Sequence, residues 1–238
     1  IKIINAELAL SDLEILEKNY QKLKKTQKTE DDKKKISVIE KAIELISKEQ
    51  RILNNLDKDE IEYLSIFQLI SIKPVVYVCN VDENSSVNGN SHTKSIEEYS
   101  KLNNSETLLV SAKIESEISQ ISDNEEKKMF LDSMGLKETG LKRVIKKGYA
   151  LLNYINFFTA GEKELRAWTI SKGTLAPSAA GEIHTDMEKG FIRAETISYE
   201  DYIEYNGESG AKEKGKLRLE GKEYEVNDGD VMHFLFNV

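Results

Sequence analysis

The sequence has 238 residues and a formal net charge of −8, with 32% charged and 39% hydrophobic residues. This length is enough for one or two domains with a buried core, and the lack of an apolar run of about 18 residues excludes a membrane-spanning helix. The first ten residues do not have the layout of a signal peptide. One cysteine, Cys79, forms no intrachain disulfide, and with three scattered histidines it builds no zinc cage. We therefore expect a cytoplasmic protein with no membrane partner.

The first predicted elements are two helices that fold back on each other. Apolar residues recur at helical spacing on both sides of the polar break at 26–32, with Gln50 at a polar position of the second series. Because neither stripe can be buried alone, we expect an antiparallel coiled-coil hairpin over about residues 7–56. The stripe residues are Leu13, Leu16, Tyr20 and Leu23, then Ile36, Ile39, Ile43, Ile46 and Leu53.

Lysines cluster at the predicted tip of this hairpin. The segment from Lys18 to Lys35 contains eight lysines and three acidic residues, so its formal charge is +5 and that of the rest of the chain is −13. A basic tip on an acidic body favours oriented docking to a polyanion such as rRNA. A solvated helix face is the more common explanation of a charge run alone. The candidate polyanion-binding residues are Lys22, Lys24, Lys25, Lys28, Lys33, Lys34 and Lys35.

A third helix and a βαβ unit are predicted next. Asp57, with Glu60 three residues later, is a helix N-cap signal, and the inward residues of that helix should include Leu69. After Pro74, the apolar run at 75–79 predicts a strand buried on both faces of a parallel sheet. A helix with Leu102 on its apolar side and a strand at 108–110 complete the unit, which spans about residues 73–113.

The remaining sequence predicts two helices, at 125–134 and 139–154, and then a change of composition. We place a domain boundary there, giving domains 1–154 and 155–238. The second part predicts strands at 157–159 and 165–170, a helix capped by Ser178, a hairpin of 217–219 with 224–226, a turn at 227–230 and a last strand at 231–238. This order is typical of a β-grasp domain, in which Trp168 should anchor the core. The overall class is α+β.

Two motifs at strand ends predict a purine-base pocket. Asn80-Val81-Asp82-Glu83 follows the first strand, where it corresponds to the Asn-Lys-x-Asp motif of guanine-nucleotide proteins, whose aspartate accepts from two donors of guanine. The second strand ends in Ser111-Ala112-Lys113, which matches the second base-contacting loop of that class. Ligands bind at the carboxyl ends of strands in open α/β sheets. A loop that only starts a helix is the alternative. The candidate base-binding residues are Asn80, Val81, Glu83, Ser111, Ala112 and Lys113.

The phosphate half of a nucleotide site is missing from the sequence. No G-x-x-x-x-G-K-[ST] motif occurs, so the backbone cradle, the phosphate lysine and the Mg²⁺ hydroxyl of a P-loop are absent. The sequence also begins at Ile1, inside what looks like a continuing fold. We expect a chain that lacks an upstream phosphate loop, carries no catalytic residue of its own and does not hydrolyse nucleotide alone.

Several segments resemble the YchF (EngD) family of Obg-related P-loop NTPases, which have a helical hairpin inserted in the G domain and a C-terminal TGS domain. The resemblance covers essentially the whole chain, as about the last two thirds of a family member. The segments are 5–13 (NAELALSDL), 73–74 with 80–83 (KP, NVDE), 158–161 (FTAG), 166–169 (RAWT), 181–186 (GEIHTD), 189–195 (KGFIRAE), 228–231 (DGDV) and 236–238 (FNV).

This resemblance implies a cytoplasmic, ribosome-associated protein that hydrolyses ATP in preference to GTP, with Mg²⁺ in the complete protein. It implies that Val81 contacts adenine and that Asn80 supports the loop. Glu83 is one methylene longer than the aspartate that clamps guanine, so guanine selection should be lost. One alternative is a non-enzymatic module that binds RNA, ribosome or protein and has a vestigial nucleotide pocket. A synthetase or stringent-response fragment with a TGS domain is a third, which the βαβ unit disfavours.

Three further residues have structural interpretations. His184 has no accompanying nucleophile pattern, so we interpret it as a structural or surface histidine. His233 should be a solvent-side or edge residue of the last strand, and Cys79 a small apolar side chain in a buried strand. The sequence does not indicate an oligomeric state.

Overall fold

The computed structural model describes residues 1–26, 28–48, 51–161 and 164–237. It is a mixed α+β structure with two compact units, Ile1–Val144 and Ile145–Val238. The positions predicted for Gln50 and Val238 lie outside the described residues. No helix in these ranges is long and apolar enough to cross a membrane.

The first unit begins with two helices, α1 (Lys2–Thr26) and α2 (Glu30–Ser47), that fold back on each other. Thr29 starts α2 through a capping box with Asp32. Leu16 and Ile39 are fully buried between the helices. The predicted continuation to Leu53 is wrong, because α2 ends at Ser47 and Leu53 lies in a separate 3-10 turn, Ile52–Asn54.

Helix α3 (Lys58–Ser65) starts at the predicted cap, where the side chains and backbone N–H groups of Asp57 and Glu60 bond reciprocally. Leu64 is fully buried in this helix. Leu69 is also fully buried but lies beyond the end of α3, after Gln68 has turned the backbone with a φ of +54°. The predicted inward position of Leu69 is therefore confirmed, and its predicted place on the helix is wrong.

A parallel strand pair with a helix between the strands follows. The elements are β1 (Val76–Asn80), α4 (Ser91–Leu102) and β2 (Glu106–Val110), and the register pairs Asn80 with Val110. The prediction that β1 is buried on both faces is wrong, because Val78 is 50% exposed. Among the described residues this sheet has two strands, and along β1 the exposed Val78 is followed by the buried Cys79, which points to the opposite face. Leu102 is 83% exposed and does not pack as predicted.

Three helices lead to the second sheet: α5 (Ala112–Gln120), α6 (Asn124–Ser133) and α7 (Gly140–Leu151). The carboxylate of Glu115 accepts from the backbone N–H of Gly140 at 2.6 Å and thereby holds the start of α7. The predicted continuation of this helix to Tyr154 is wrong, because α7 ends at Leu151. Asn153 has a φ of +56°, which turns the chain out of the helix and into the next strand.

The second unit has a five-stranded mixed sheet in the order β4-β3-β7-β5-β6. Its first and last strands, β3 and β7, are parallel, and the other neighbours are antiparallel. Phe157 and the helix α8 fill the core on one face. The elements are β3 (Tyr154–Ala160), β4 (Leu165–Ser171), α8 (Ala176–Ile183), α9 (Thr185–Lys189), β5 (Phe191–Ile197), α10 (Tyr199–Glu204), α11 (Glu208–Glu213), β6 (Arg218–Glu220) and β7 (Val231–Phe236).

Two predictions in this unit need correction, and one is confirmed. Strand β6 pairs with β5, and residues 224–226 do not form its hairpin partner; Glu225 makes only an isolated bridge to Leu175. Ser178 does not cap α8, because the helix starts after Leu175 with proline in its first turn. Trp168 is mostly buried and packs against this core, as the sequence predicts, while Phe157 beside it is fully buried.

Candidate functional site: two strand-end loops and a lysine tip

The two predicted base-binding loops meet at the carboxyl ends of β1 and β2. The backbone N–H of Val81 donates to the carbonyl of Val110 at 2.9 Å, so the parallel pairing continues one residue beyond β1. The backbone N–H of Ala112, in the second loop, donates to Oδ1 of Asn80 at 3.1 Å. Asn80 and Ala112 are exposed. The carboxamide of Asn80 therefore joins the first loop to the second.

A second contact joins the loops through charge. The Lys113 ammonium lies 2.9 Å from Oε1 of Glu83, and 4.0 Å from a carboxylate oxygen of Glu117 one helical turn along α5. The hydrogen bond with Glu83 raises the pKa of Lys113. The Glu83 side chain is 34% exposed and that of Lys113 is 66% exposed, so the pair is accessible to a ligand.

The other residues of the two motifs face inward or hold the backbone. Val81 is 9% exposed and Ser111 is 3% exposed, so neither side chain presents much surface to a base in this structure. Ser111 accepts from the N–H of Ile114 and starts α5. Asp82 accepts from the N–H of Ser85 at 2.9 Å and fixes the 3-10 turn that carries Glu83. The structure thus brings Asn80, Glu83, Ala112 and Lys113 together at one accessible edge.

The lysine tip is the loop between α1 and α2 with the adjoining helical turns. Two of its lysines are neutralised locally, because Lys33 pairs with Glu30 and Lys35 pairs with Asp31, each at 2.5 Å. The third acidic residue, Asp32, accepts from the backbone N–H groups of the loop, and these hydrogen bonds lower its pKa.

The remaining lysines of the tip differ in their contacts. Lys24 donates to the hydroxyl of Tyr20 at 3.0 Å, which raises the pKa of Lys24. The other four are exposed and form no ion pair with any residue that the structure describes. Their charge is therefore available to a polyanion. These four residues are Lys22, Lys25, Lys28 and Lys34.

Two buried carboxylates are not singled out by the sequence patterns. Asp12 is fully buried in α1, and the signal for it is its place one turn before Leu16 on the inward stripe. Asp230 is 3% exposed and accepts from the hydroxyl of Tyr224 at 2.7 Å and from the guanidinium of Arg218 at 3.2 Å. Burial and the bond to Asp230 raise the pKa of Tyr224 to about 12.

His184, His233 and Cys79 lie outside the two loops and the lysine tip. His184 is exposed, separates α8 from α9 and accepts through Nδ1 from the N–H of Asp186. His233 is exposed on β7, which is a central strand of the sheet. Cys79 is buried, and burial raises the pKa of its thiol. Within the described ranges, no group of three or more histidine, cysteine or carboxylate side chains could hold a metal ion.

Comparison with known proteins gives close relatives over the whole chain. The family model YchF-GTPase_C, described as a protein of unknown function (DUF933), matches residues 154–237. A protein of Haemophilus influenzae named ribosome-binding ATPase YchF is 49% identical over 241 residues, covering 100% of this chain and 66% of the relative. A Bacillus subtilis protein of the same name is 45% identical over 243 residues, with the same coverage. The chain therefore spans about two thirds, 66%, of the length of the curated relatives that it matches.

Solved structures give a similar result. The structure of the Schizosaccharomyces pombe YchF GTPase superposes with a TM-score of 0.86 at 31% identity, covering 98% of this chain and 64% of that one. A GTP-binding protein from Pyrococcus horikoshii has a TM-score of 0.60 at 19% identity, covering 100% of this chain and 71% of that one. The second match shows likeness of fold alone.

Proposed function

The chain belongs to the YchF family, and from this premise we propose that it is the base-reading and ribosome-docking part of a cytoplasmic NTPase. In this proposal the complete protein binds and hydrolyses ATP, and GTP less well. The residues that touch or frame the base are Asn80, Val81, Glu83, Ser111, Ala112 and Lys113. The names of the relatives, ribosome-binding ATPase and GTPase, support both the nucleotide and the ribosome.

The observation that carries the proposal is the junction of the two strand-end loops. The Asn80–Ala112 hydrogen bond and the Glu83–Lys113 ion pair place both motifs at one accessible edge beyond parallel strands. Such an edge is where open α/β sheets bind ligands.

The two units support the finer fold assignment that we propose. The second unit would be the TGS β-grasp domain, since its first and last strands lie side by side in parallel and one helix crosses the core face. The two fold-back helices of the first unit would be the coiled-coil insertion of a G domain. We propose functional domains at 1–154 and 155–238, and the family match over residues 154–237 supports this boundary.

The lysine tip supports the ribosomal part of the proposal. Phosphate contacts by lysine release counterions from nucleic acid and supply affinity that does not depend on sequence. Its exposed unpaired lysines suit that role, while the acidic remainder of the chain disfavours non-specific adhesion. We therefore propose rRNA as the partner of this tip.

Phosphate transfer is assigned to residues outside this chain. The sequence has no P-loop motif, and the described residues include no metal-binding group of three or more ligands. The side chains present do not form a Mg²⁺ site, so we derive no catalytic step through the ion. The chain alone should be inactive, because positioning and charge stabilisation of the phosphates supply most of the catalysis in such enzymes.

The test compares the full-length protein containing these residues with the 238-residue chain alone. We expect hydrolysis with kcat/KM higher for ATP than for GTP in the full-length protein, and no turnover by the chain alone. Sedimentation with ribosomes, measured in parallel, reports the second activity. Turnover by the isolated chain, or a preference for GTP in the full-length protein, would refute the nucleotide part of the proposal.

The competing function is a non-enzymatic interaction module with a vestigial pocket. The exposed lysines favour it as much as they favour the enzyme, since polyanion binding needs no nucleotide. Titration of the full-length protein with adenine nucleotide separates the two functions. Ribosome binding without any nucleotide binding would leave only the module.

A further inference from the structure

The Glu83–Lys113 ion pair occupies one oxygen of the carboxylate that we propose faces the base. Lys113 Nζ lies 2.9 Å from Glu83 Oε1. At this distance the contact is a charge-assisted hydrogen bond, which is stronger than a neutral one. The structure gives the second oxygen, Oε2, no protein partner among the described residues. The side chain therefore presents one free acceptor and, beside it, a lysine ammonium.

Adenine and guanine place different demands on such a carboxylate. Guanine presents two adjacent donors, N1–H and the N2 amino group, which together use both oxygens of a carboxylate. Adenine presents one donor group, the N6 amine, and ring nitrogens that accept. A carboxylate whose Oε1 already pairs with an ammonium can still satisfy adenine through Oε2, whereas the second donor of guanine must share Oε1 with Lys113, which weakens both hydrogen bonds.

We propose that Lys113 is a specificity-determining residue of this site, and that it selects adenine over guanine by holding one oxygen of Glu83. The proposal rests on the nucleotide function proposed above. In it, the free oxygen of Glu83 accepts from the N6 amine of adenine. Guanine is disfavoured because one of its two adjacent donors must compete with the Lys113 ammonium for Oε1 of Glu83.

The local structure holds both side chains in position to form this pair. Glu83 begins a 3-10 turn that Asp82 caps, and Lys113 lies in the first turn of α5, which the buried Ser111 starts. The two backbone segments are joined by the Asn80–Ala112 bond. Because these backbone positions are fixed, the pair loses less conformational freedom than two mobile surface side chains would lose.

The decisive variant is Lys113→Met, which keeps the length of the side chain and removes its charge. In the full-length protein we expect the ratio of the ADP to the GDP association constant to fall about tenfold, mainly because GDP binds better. Lys113→Arg keeps a charged donor and should keep the ratio close to wild type. Lys94→Met, at an exposed lysine on α4, and Glu117→Gln, which removes the weaker contact, are controls that should also keep it.

The outcomes separate this inference from the function that it deepens. If wild type prefers ADP and Lys113→Met leaves the ratio unchanged, the role of Lys113 is refuted while the proposed function stands. That role is equally refuted if Lys94→Met lowers the ratio as much as Lys113→Met. If wild-type protein binds neither nucleotide, both proposals fail together. Thermal unfolding of each variant, measured without nucleotide, shows whether a loss of binding is only a loss of fold.

Discussion

The carboxylate of Asp12 accepts a hydrogen bond from the backbone N–H of Ser71 at 2.6 Å, across 59 positions of sequence. Its other oxygen accepts from the N–H of Ile70 at 2.9 Å. Since a buried charge is tolerated only when it is hydrogen-bonded or paired, these two donors account for a fully buried aspartate in α1. The contact ties α1 to the segment that follows the Gln68 turn.

We predict that Asp12→Ala lowers the free energy of unfolding by about 3 kcal/mol, because it leaves two inward N–H groups without an acceptor. Asp12→Asn keeps one acceptor oxygen and should cost less than Asp12→Ala. Glu14→Gln, an exposed change on the same helix, should stay within about 0.5 kcal/mol of wild type. Urea titration of the chain measures all three. A cost for Asp12→Ala no larger than that for Glu14→Gln would mean that water replaces the carboxylate.

The inward stripes of the hairpin can be predicted from the sequence because helical spacing is a local signal. Asp12 escapes such a prediction because a charged residue in a helical pattern is ordinarily exposed, and its partners are set by tertiary structure. The alternation at 217–219 correctly indicates an extended segment, but alternation does not identify the neighbouring strand, and β6 pairs with β5. Similarly, the two motifs predict loops that meet, while the Glu83–Lys113 pair depends on side-chain geometry.

Phe157 should be the main anchor of the second core. It is fully buried, stacks on Trp168 at a centroid distance of 6.4 Å and meets the edge of Phe234 at 5.7 Å. We predict that Phe157→Ala costs about 3–5 kcal/mol of unfolding free energy. Trp168→Ala should cost less, because part of the Trp168 side chain stays exposed, where the guanidinium of Arg166 stacks on the ring.

Denaturant titration compares the two variants. If the alanine variant does not fold, Phe157→Leu provides a milder change that leaves a smaller cavity. The residue whose alanine variant loses more unfolding free energy is the main anchor of this core. A larger loss for Trp168→Ala than for Phe157→Ala would therefore identify Trp168 as that residue.

Tyr224 should make stability fall at alkaline pH. Its pKa is raised from 10.0 to about 12 by burial and by its bond to Asp230, so the folded state holds the phenolic proton more tightly than the unfolded state does. The stabilisation is fully present below pH 10 and is lost as pH rises towards 12. We therefore expect the unfolding free energy of wild type to fall more steeply over this range than that of Tyr224→Phe. Parallel slopes in urea titrations at stepped pH would contradict this linkage.

The burial of Val81 limits which substitutions the loop 80–83 can accept. Replacing Val81 by lysine and Glu83 by aspartate would reproduce the Asn-Lys-x-Asp pattern. However, Val81 is 9% exposed, so a lysine there must either leave its pocket or lose charge. Lys113 is exposed and can be changed without this cost, which makes it the better position for testing base choice.

The final prediction concerns the lysine tip and compares lysines that form no ion pair with lysines that do. In the first variant, Lys25 and Lys28 are both changed to Gln, which removes two exposed charges that have no acidic partner among the described residues. In the second variant, Lys33 and Lys35 are both changed to Gln, which removes two charges that Glu30 and Asp31 already offset. The net charge changes equally in both double variants. If the tip docks on rRNA, the first variant should bind ribosomes more weakly and flatten the plot of log K against log salt by roughly 0.7–0.9 per lost phosphate contact. The second should change both quantities less. Sedimentation of full-length protein with ribosomes at several salt concentrations gives these slopes. No effect of either variant would show that the tip is a solvated helix end, and equal effects would show that local pairing does not decide which lysines bind.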